Sequence, residues 1–434
     1  MSELPLRVAW IGGPSLGGGV GGFCRQLVHS LLEAGVDLTV LSSNTLDDFD
    51  ETMGSNGKRA TLISHPPAWE WNRWYSRLPL TTFISSFWCR RRAYSHIVRA
   101  MRQAHKNKPF DVIVQFSQIE LFELRKHLYE LPPVLLFPCV HAAGELRWHR
   151  KESDMALRTE SRLRHYLVRA NLMQRAYLQK KCCNAVHGVI GMSHRFNELL
   201  SMDYGVKSEN QTVLYQPIDL VQTLQKPTTD ESDRQDFARK EDRLKLLFVG
   251  RISVRKGLEM LVELSRRLDD LADKLSLTIL GGASFWSDYT RVLDDLNPRI
   301  AQYIGAKCHA EACQWMADSD VLLVPSHYEP GGIVVAEALE LGTLIVASDE
   351  VGSAEPLPDT VCRKFRSGNM DEFEAQVRRL IAELPTQRHR MREWARQAAR
   401  DCFAPEKLQS KLLRILETAV ARKPIGSVDS WFEK

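Results

Sequence analysis

No apolar run in the 434-residue sequence approaches the roughly 18 residues that a membrane-spanning helix needs. The first residues, Met1-Ser2-Glu3-Leu4-Pro5, put an acid where a secretory leader has bases. Val8–Ile11 is also too short for the apolar segment of such a leader, so none is expected. No Cys-x-x-Cys pair occurs among nine cysteines scattered from Cys24 to Cys402. Cys182-Cys183, Cys308 and Cys313 lack the companions of a zinc site. Buried, reduced thiols in a cytoplasmic protein are the expectation. Internal repeats and low-complexity tracts are missing as well. An apolar fraction of 44% with 26% charged residues excludes the disordered and fibrous classes.

Net charge is small, +4 from 58 Lys and Arg against 54 Asp and Glu, and no recognition motif for nucleic acid appears, so no nucleic-acid partner is expected. The balance hides an asymmetry: residues 1–220 hold 27 bases and 20 acids, and residues 221–434 hold 31 and 34. Between Trp69 and Lys108 lie nine bases and one acid, Glu70, interleaved with Trp69, Trp71, Trp74, Tyr75, Phe83, Phe87, Trp88 and Tyr94. A second basic stretch runs from Glu145 to Lys181. Bases mixed with aromatics suit an anionic membrane surface, and a solvated helix face beside core aromatics is the alternative. Peripheral contact with the inner face of a membrane is thus an expectation for the first stretch.

Along the chain, short apolar runs alternate with helical periods. Arg7–Ile11, Leu38–Leu41, Asp111–Phe116, Val134–Val140 and Gly188–Met192 read as buried strands; Phe23–Ala34, Arg90–Ala104 and Leu157–Lys181 read as helices. Polar Val221–Asp242 reads as a linker. The alternation then restarts with strands Leu244–Val249, Leu277–Leu280, Val321–Val324 and Leu344–Ala347. Helices Leu258–Leu268 and Ile333–Leu341 accompany them, and a helical tail runs from Asp371 to Ala421. This predicts an α/β protein of two Rossmann-like doubly wound domains facing a central cleft, where such domains bind ligands. The expected boundaries are residues 1–220, a linker 221–242, residues 243–405, and a tail 406–434 that packs back on the first domain.

Between the first strand and helix, Gly17, Gly19 and Gly22 satisfy the G-x-G-x-x-G spacing, and such glycines let backbone amides approach an anion. A dinucleotide is disfavoured. The second strand runs into Ser42-Ser43-Asn44 without the acid that a ribose needs there, and Asp37 precedes that strand. No Gly-Lys-Ser/Thr closes a P-loop either. A loop for close approach of a substrate is preferred, with a structural turn as the alternative.

The second half carries the sharper signal. Leu244–Val249 ends in Gly250-Arg251, and Lys256-Gly257 follows before a helix, gathering two cations and free amides at one strand end. A pyrophosphate needs such a place. Farther on, Ser326-His327-Tyr328-Glu329-Pro330-Gly331-Gly332 leads into Ile333–Leu341. Glu337 there sits among Val334, Val335, Ala336, Ala338 and Leu339, so its carboxylate needs a hydrogen-bond donor, either sugar hydroxyls or a base of the same domain. Gly331-Gly332 leave the amides of that helix start uncovered. Asp318-Ser319-Asp320 has the Asp-x-Asp form of a metal motif, but it precedes its strand and so lies at the wrong end of a sheet; it is set aside.

Together Gly250-Arg251, Lys256-Gly257, Asp320-Val321-Leu322-Leu323-Val324-Pro325-Ser326 and Glu329-Pro330-Gly331-Gly332-Ile333-Val334-Val335-Ala336-Glu337-Ala338, with the N-terminal glycine loop, resemble the retaining glycosyltransferases of family 4, of GT-B architecture. Ser193 and Pro217-Ile218-Asp219 are weaker echoes. The resemblance implies transfer of a hexosyl group from a UDP- or GDP-sugar to an acceptor such as a glycolipid, a polysaccharide or another glycoconjugate, with neither metal nor cofactor. Arg251 and Lys256 would grip the donor diphosphate, Glu337 the ribose hydroxyls, and Glu329 the transferred sugar. Gly17, Gly18, Gly19, Gly250, Gly331, Gly332, Ile333 and Val334 would line the donor, and His141 would stand near the reacting sugar. Two departures are Gly331, where similar proteins often have an aromatic residue, and Gln216 in place of an asparagine. Competing expectations are a nucleotide-sugar epimerase of the same fold, an NAD-dependent oxidoreductase built on the glycine loop, and a sugar-binding scaffold.

Overall fold

The computed structural model describes residues 5–15, 19–67, 79–159, 161–218, 243–283 and 289–429. Gly17, Gly18, Asp219, the expected linker and residues 69–78 of the basic, aromatic stretch lie outside them. In chain order the first elements are β1 (Arg7–Ile11), α1 (Gly19–Glu33), β2 (Asp37–Ser42), α2 (Leu46–Met53), β3 (Thr61–Ser64), α3 (Pro79–Asn107), β4 (Val112–Ser117) and β5 (Val134–Pro138). They are followed by α4 (Ala142–Lys151), α5 (Ser153–Thr159), α6 (Arg162–Cys183), β6 (Gly188–Gly191), α7 (His194–Tyr204) and β7 (Gln211–Val213). Then come β8 (Leu244–Val249), α8 (Leu258–Arg267), β9 (Leu275–Leu280), β10 (Ala301–Gly305), α9 (His309–Ala317) and β11 (Val321–Val324). The last are α10 (Ile333–Glu340), β12 (Leu344–Ser348), β13 (Cys362–Phe365), α11 (Met370–Phe403) and α12 (Pro405–Val420).

Contacts divide the chain into two units. Met1–Ser153, Ser161–Pro217 and Pro405–Lys434 form the first, and Asp154–Glu160 with Ile218–Ala404 the second. The first unit holds a parallel sheet in the order β3-β2-β1-β4-β5-β6-β7. Side chains alternate across a strand, so successive residues of β1 enter two cores. Val8 and Trp10 join Leu27 and Leu31 of α1 and Leu412, Ile415 and Leu416 of α12 on one face. Ala9 and Ile11 join Tyr94, Ile97 and Met101 of α3 and Phe196 of α7 on the other. Burial on both faces is what makes these strands read as near-continuous apolar runs.

The second unit holds a parallel sheet in the order β10-β9-β8-β11-β12-β13. From β8 the chain steps outward through β9 to β10 and then returns to the other side of β8 as β11. The loops that leave the carboxyl ends of β8 and β11 therefore flank the point at which the strand order reverses, the place where such sheets bind ligands.

Four strands have no counterpart in the sequence reading: β3, β7, β10 and β13. Each is a sheet edge. An edge strand is short and covered on fewer sides, so it lacks the apolar run that marks an interior one. The expected helix Leu157–Lys181 is two helices, because Ser161 caps α6 with its hydroxyl accepting from Arg164 N at 3.2 Å. The helical tail likewise breaks at Ala404-Pro405. All nine cysteines are free, with Cys308 exposed. No helix among the described residues is long and apolar enough to cross a membrane.

Candidate functional site

Two loops at the β8/β11 crossing point are tied together by their backbones. The first leaves β8 at Gly250, makes one turn of 3₁₀ helix over Val254–Lys256, and enters α8 through Gly257. The second runs from Pro325 to Gly332 and enters α10. His327 N donates to Arg255 O at 2.8 Å, and Tyr328 N reaches the same carbonyl at 3.3 Å. On the far side, Gly352 N donates to Glu329 O at 3.0 Å and Ser353 N to Gly331 O at 2.9 Å. Glu329 is thus fixed by its own backbone before its side chain makes any contact.

Glycine is required at the pivot of each loop. Gly257 has φ +73°, and a Cβ there would run into the carbonyl oxygen of Pro325. Gly332 has φ +102°, and a Cβ would stand 2.8 Å from Ser353 Oγ, which donates to the Gly332 carbonyl at 2.7 Å. With glycine as N-cap, no side chain covers the amides at the start of α10, where Ile333 and Val334 form the first turn.

This backbone brings Lys256 and Glu329 into direct ion-pair contact, each with less than a fifth of its side chain exposed. Burial presses the Lys256 ammonium down, to about 7, helped by the guanidinium groups of Arg255 and Arg251. The Glu329 carboxylate against it works in the opposite sense. Arg251 is exposed and makes no ion pair among the described residues. One largely enclosed cation, one carboxylate and one available guanidinium thus gather where the two loops are joined.

Glu337, on the second turn of α10, is buried. Its Oε1 accepts from His309 Nε2 at 2.8 Å. His309 opens α9, with Cys313 Sγ at 3.7 Å, and both partners raise its imidazole to about 10, so it carries a proton. Of the two donors expected for Glu337, a base of the same domain therefore occupies one oxygen. His327, between Ser326 and Tyr328, joins its Nε2 to Glu259 of α8 and its Nδ1 to Ser367 Oγ at 3.1 Å. These contacts brace the loop against α8. Sequence reasoning missed His309, Arg255 and Glu259, since each meets its partner across at least two elements.

Asp320 is structural. Its Oδ2 accepts from Lys245 N at 2.9 Å and its Oδ1 lies 3.0 Å from Arg388 Nε, at the start of β11. Among the described residues no group of three His, Cys, Asp or Glu could hold a metal ion.

In the first unit Gly19 opens α1, while Gly17 and Gly18 lie outside the described residues. His141 is the N-cap residue of α4, with its side chain fully enclosed. Its Nε2 lies 2.9 Å from Asp203 Oδ2, and Arg147 grips the same carboxylate at 2.5 Å. Burial would raise Asp203, but the hydrogen bonds from His141 and Arg147 outweigh it and hold the carboxyl below its usual range. The rings of Tyr204 and Phe196 stand edge-on to the imidazole at 5.1 and 5.9 Å. Ser193 caps α7, accepting from Phe196 N at 3.1 Å.

Comparison with known proteins bears on this site. Residues 229–398 match the family model "Glycosyl transferases group 1", a span that contains both loops, Glu337 and His309. A D-inositol 3-phosphate glycosyltransferase of Xylanimonas cellulosilytica is 29% identical over 184 residues, which is 41% of this chain and 43% of that protein. The chain's match thus spans less than half the length of that relative. Among solved structures, sucrose-phosphate synthase from Thermosynechococcus elongatus is similar over 96% of this chain and 99% of its own, with a TM-score of 0.68 and 17% identity. HepE of Anabaena, in complex with UDP and glucose, is similar over 95% of this chain and 100% of its own, with a TM-score of 0.60 and 15% identity. The second unit thus carries a domain of the glycosyl transferases group 1 family, in a chain with the GT-B fold of two Rossmann-like domains.

Proposed function

We propose that the chain is a retaining glycosyltransferase of family 4, moving a hexosyl group from a UDP- or GDP-sugar to an anionic or membrane-borne acceptor. The meeting of Lys256 and Glu329 at the strand crossover, beside an available Arg251, carries this proposal. A sugar diphosphate brings at least two negative charges and a set of hydroxyls, the complement of those three side chains. Arg251 and Lys256 would take the diphosphate oxygens, and Glu329, released from Lys256, would accept from hydroxyls of the transferred sugar. Backbone at Gly250, Gly331, Gly332, Ile333 and Val334 would approach the donor closely, as would the loop at Gly17, Gly18 and Gly19. Glu337 would accept from the ribose hydroxyls at the oxygen opposite His309.

In the transfer, the bond from the sugar C1 to the diphosphate oxygen breaks and a bond from the acceptor oxygen to C1 forms on the same face. The acceptor proton passes to the departing phosphate oxygen, so neither a protein base nor a metal is called for. Stabilising the charge on that leaving group is then the largest contribution of the protein. His141 would donate a hydrogen bond to the reacting sugar, which requires its Nε2 to exchange Asp203 for a hydroxyl. The excess of bases in residues 1–220 supports an anionic or membrane-borne acceptor and peripheral contact with the inner face of an anionic membrane.

The test is a screen of UDP-, GDP- and ADP-sugars for acceptor-dependent release of nucleoside diphosphate, with NMR of the product anomer. One UDP- or GDP-sugar should be consumed and the product should keep its configuration. An epimerised sugar nucleotide formed from donor alone would replace transfer by epimerisation, and an inverted product would end the retaining assignment.

A further inference from the structure

More than half of the exposed large apolar side chains among the described residues lie on two helices of the first unit that pack together, α3 and α6. On α3 they are Leu80, Ile84 and Trp88, spaced by four. On α6 they are Leu163, Tyr166, Met173 and Tyr177, spaced by three, seven and four. Both spacings keep one helix face, so each set is a stripe and not scatter. A cavity of about 340 Å³ is walled by Phe87 and Arg91 from α3 and by Tyr177 and Lys181 from α6, with Glu120 and Glu123 between them, so of the striped residues Tyr177 borders it.

Charge singles out what this face suits. Neither helix contains an Asp or Glu, while each carries six Lys and Arg residues. Arg91, Arg102 and Arg175 are paired with Glu123, Glu130 and Glu120 of neighbouring elements. Arg92 and Arg99 on α3 and Lys180 on α6 make no ion pair among the described residues, and Lys181 lies over the Tyr177 ring at 4.3 Å. A second copy of the chain docking here would set acid-free, arginine-rich helices against each other, and like charges repel. A surface of lipid phosphates has the opposite sign and takes Trp and Tyr at its boundary.

We propose that the α3–α6 face docks peripherally on an anionic lipid bilayer, with Ile84, Trp88, Tyr166 and Tyr177 entering the headgroup region and the flanking bases meeting phosphates. This specifies the membrane contact of the functional proposal by surface, and it adds α6, which lies outside the Trp69–Lys108 stretch. It depends on no donor chemistry, so a failed sugar-nucleotide screen would leave it standing.

Co-sedimentation of the full chain, without donor, tests it against vesicles of phosphatidylcholine alone and of phosphatidylcholine mixed equally with phosphatidylglycerol. Binding to the mixed vesicles is expected at low salt, with little binding to phosphatidylcholine alone and release at high salt. W88S combined with Y177S should weaken binding at least tenfold with the salt dependence kept. R92Q combined with K180Q should instead reduce the salt dependence. Absence of binding at low salt, or unchanged binding by W88S/Y177S with a wild-type melting curve, overturns the proposal. A concentration-dependent dimer abolished by W88S/Y177S would also overturn it, by identifying a second copy as the occupant.

Discussion

Lys256 stands under opposed influences: burial and two guanidinium groups lower its affinity for a proton, and Glu329 raises it. A bound diphosphate adds at least two negative charges and lifts the ammonium further above about 7. Diphosphate binding therefore takes up a proton between the free and bound values, so affinity falls as pH rises above about 7, by up to about tenfold per unit. Calorimetry of a nucleoside diphosphate in buffers of different ionisation enthalpy measures that uptake. Affinity independent of pH from about 6 to about 9 would contradict it. His309 gives the opposite case. Its pKa is raised, so the ion pair with Glu337 contributes fully below the usual imidazole value and is lost as pH climbs through about 10. An NMR titration should find the ring still protonated well above neutral pH, and E337Q should bring its pKa down.

At this scale the sequence was legible where a residue sits beside backbone punctuation. Arg251, Lys256 and Glu329 follow strand ends or precede glycines, so the loops that carry them could be placed from position alone. The partner of Glu337 could not be. His309 lies in a separate βα segment, and nothing in Cys308-His309-Ala310 marks it as different from the other histidines. The Lys256–Glu329 ion pair was also hidden, because it depends on the Arg255 carbonyl receiving His327 N across two strands.

At the scale of elements, the site rests on two glycine pivots. G257A would force a Cβ toward Pro325 O at φ +73°. A non-glycine residue in such a conformation costs about 1–3 kcal/mol before any collision is counted. The variant should melt at lower temperature and lose nucleotide affinity, since the same turn carries Lys256. A G257A protein with wild-type melting and binding would show that the pivot does not position the lysine. Among the strands, recognition from sequence failed at the sheet edges, and for one reason. β3 (Thr-Leu-Ile-Ser), β7 (Gln-Thr-Val), β10 and β13 lack the run of buried Val, Ile and Leu that identifies β1, β4, β5, β8 and β11. The edges change neither crossover point, so the site could be located without them.

At the scale of the whole molecule, the first unit is not contiguous in sequence. Leu412, Ile415 and Leu416 of α12 are buried against β1 and α1, nearly four hundred residues earlier in the chain. L412A should cost about 2–5 kcal/mol, the range for truncating a buried leucine. The loss should appear as faster amide exchange in β1 and β4, with the strands of the second sheet less affected. Equal acceleration in both sheets would mean that the units do not unfold separately.

Turnover of the consumed sugar nucleotide by R251A and K256A, each against wild type, tests the central claim most directly. If these two cations hold the departing diphosphate, each variant should lose about a hundredfold or more in kcat, as when an oxyanion donor is removed, while remaining folded at the assay temperature. Turnover within a few fold of wild type in both variants would contradict a donor site at the β8/β11 crossover.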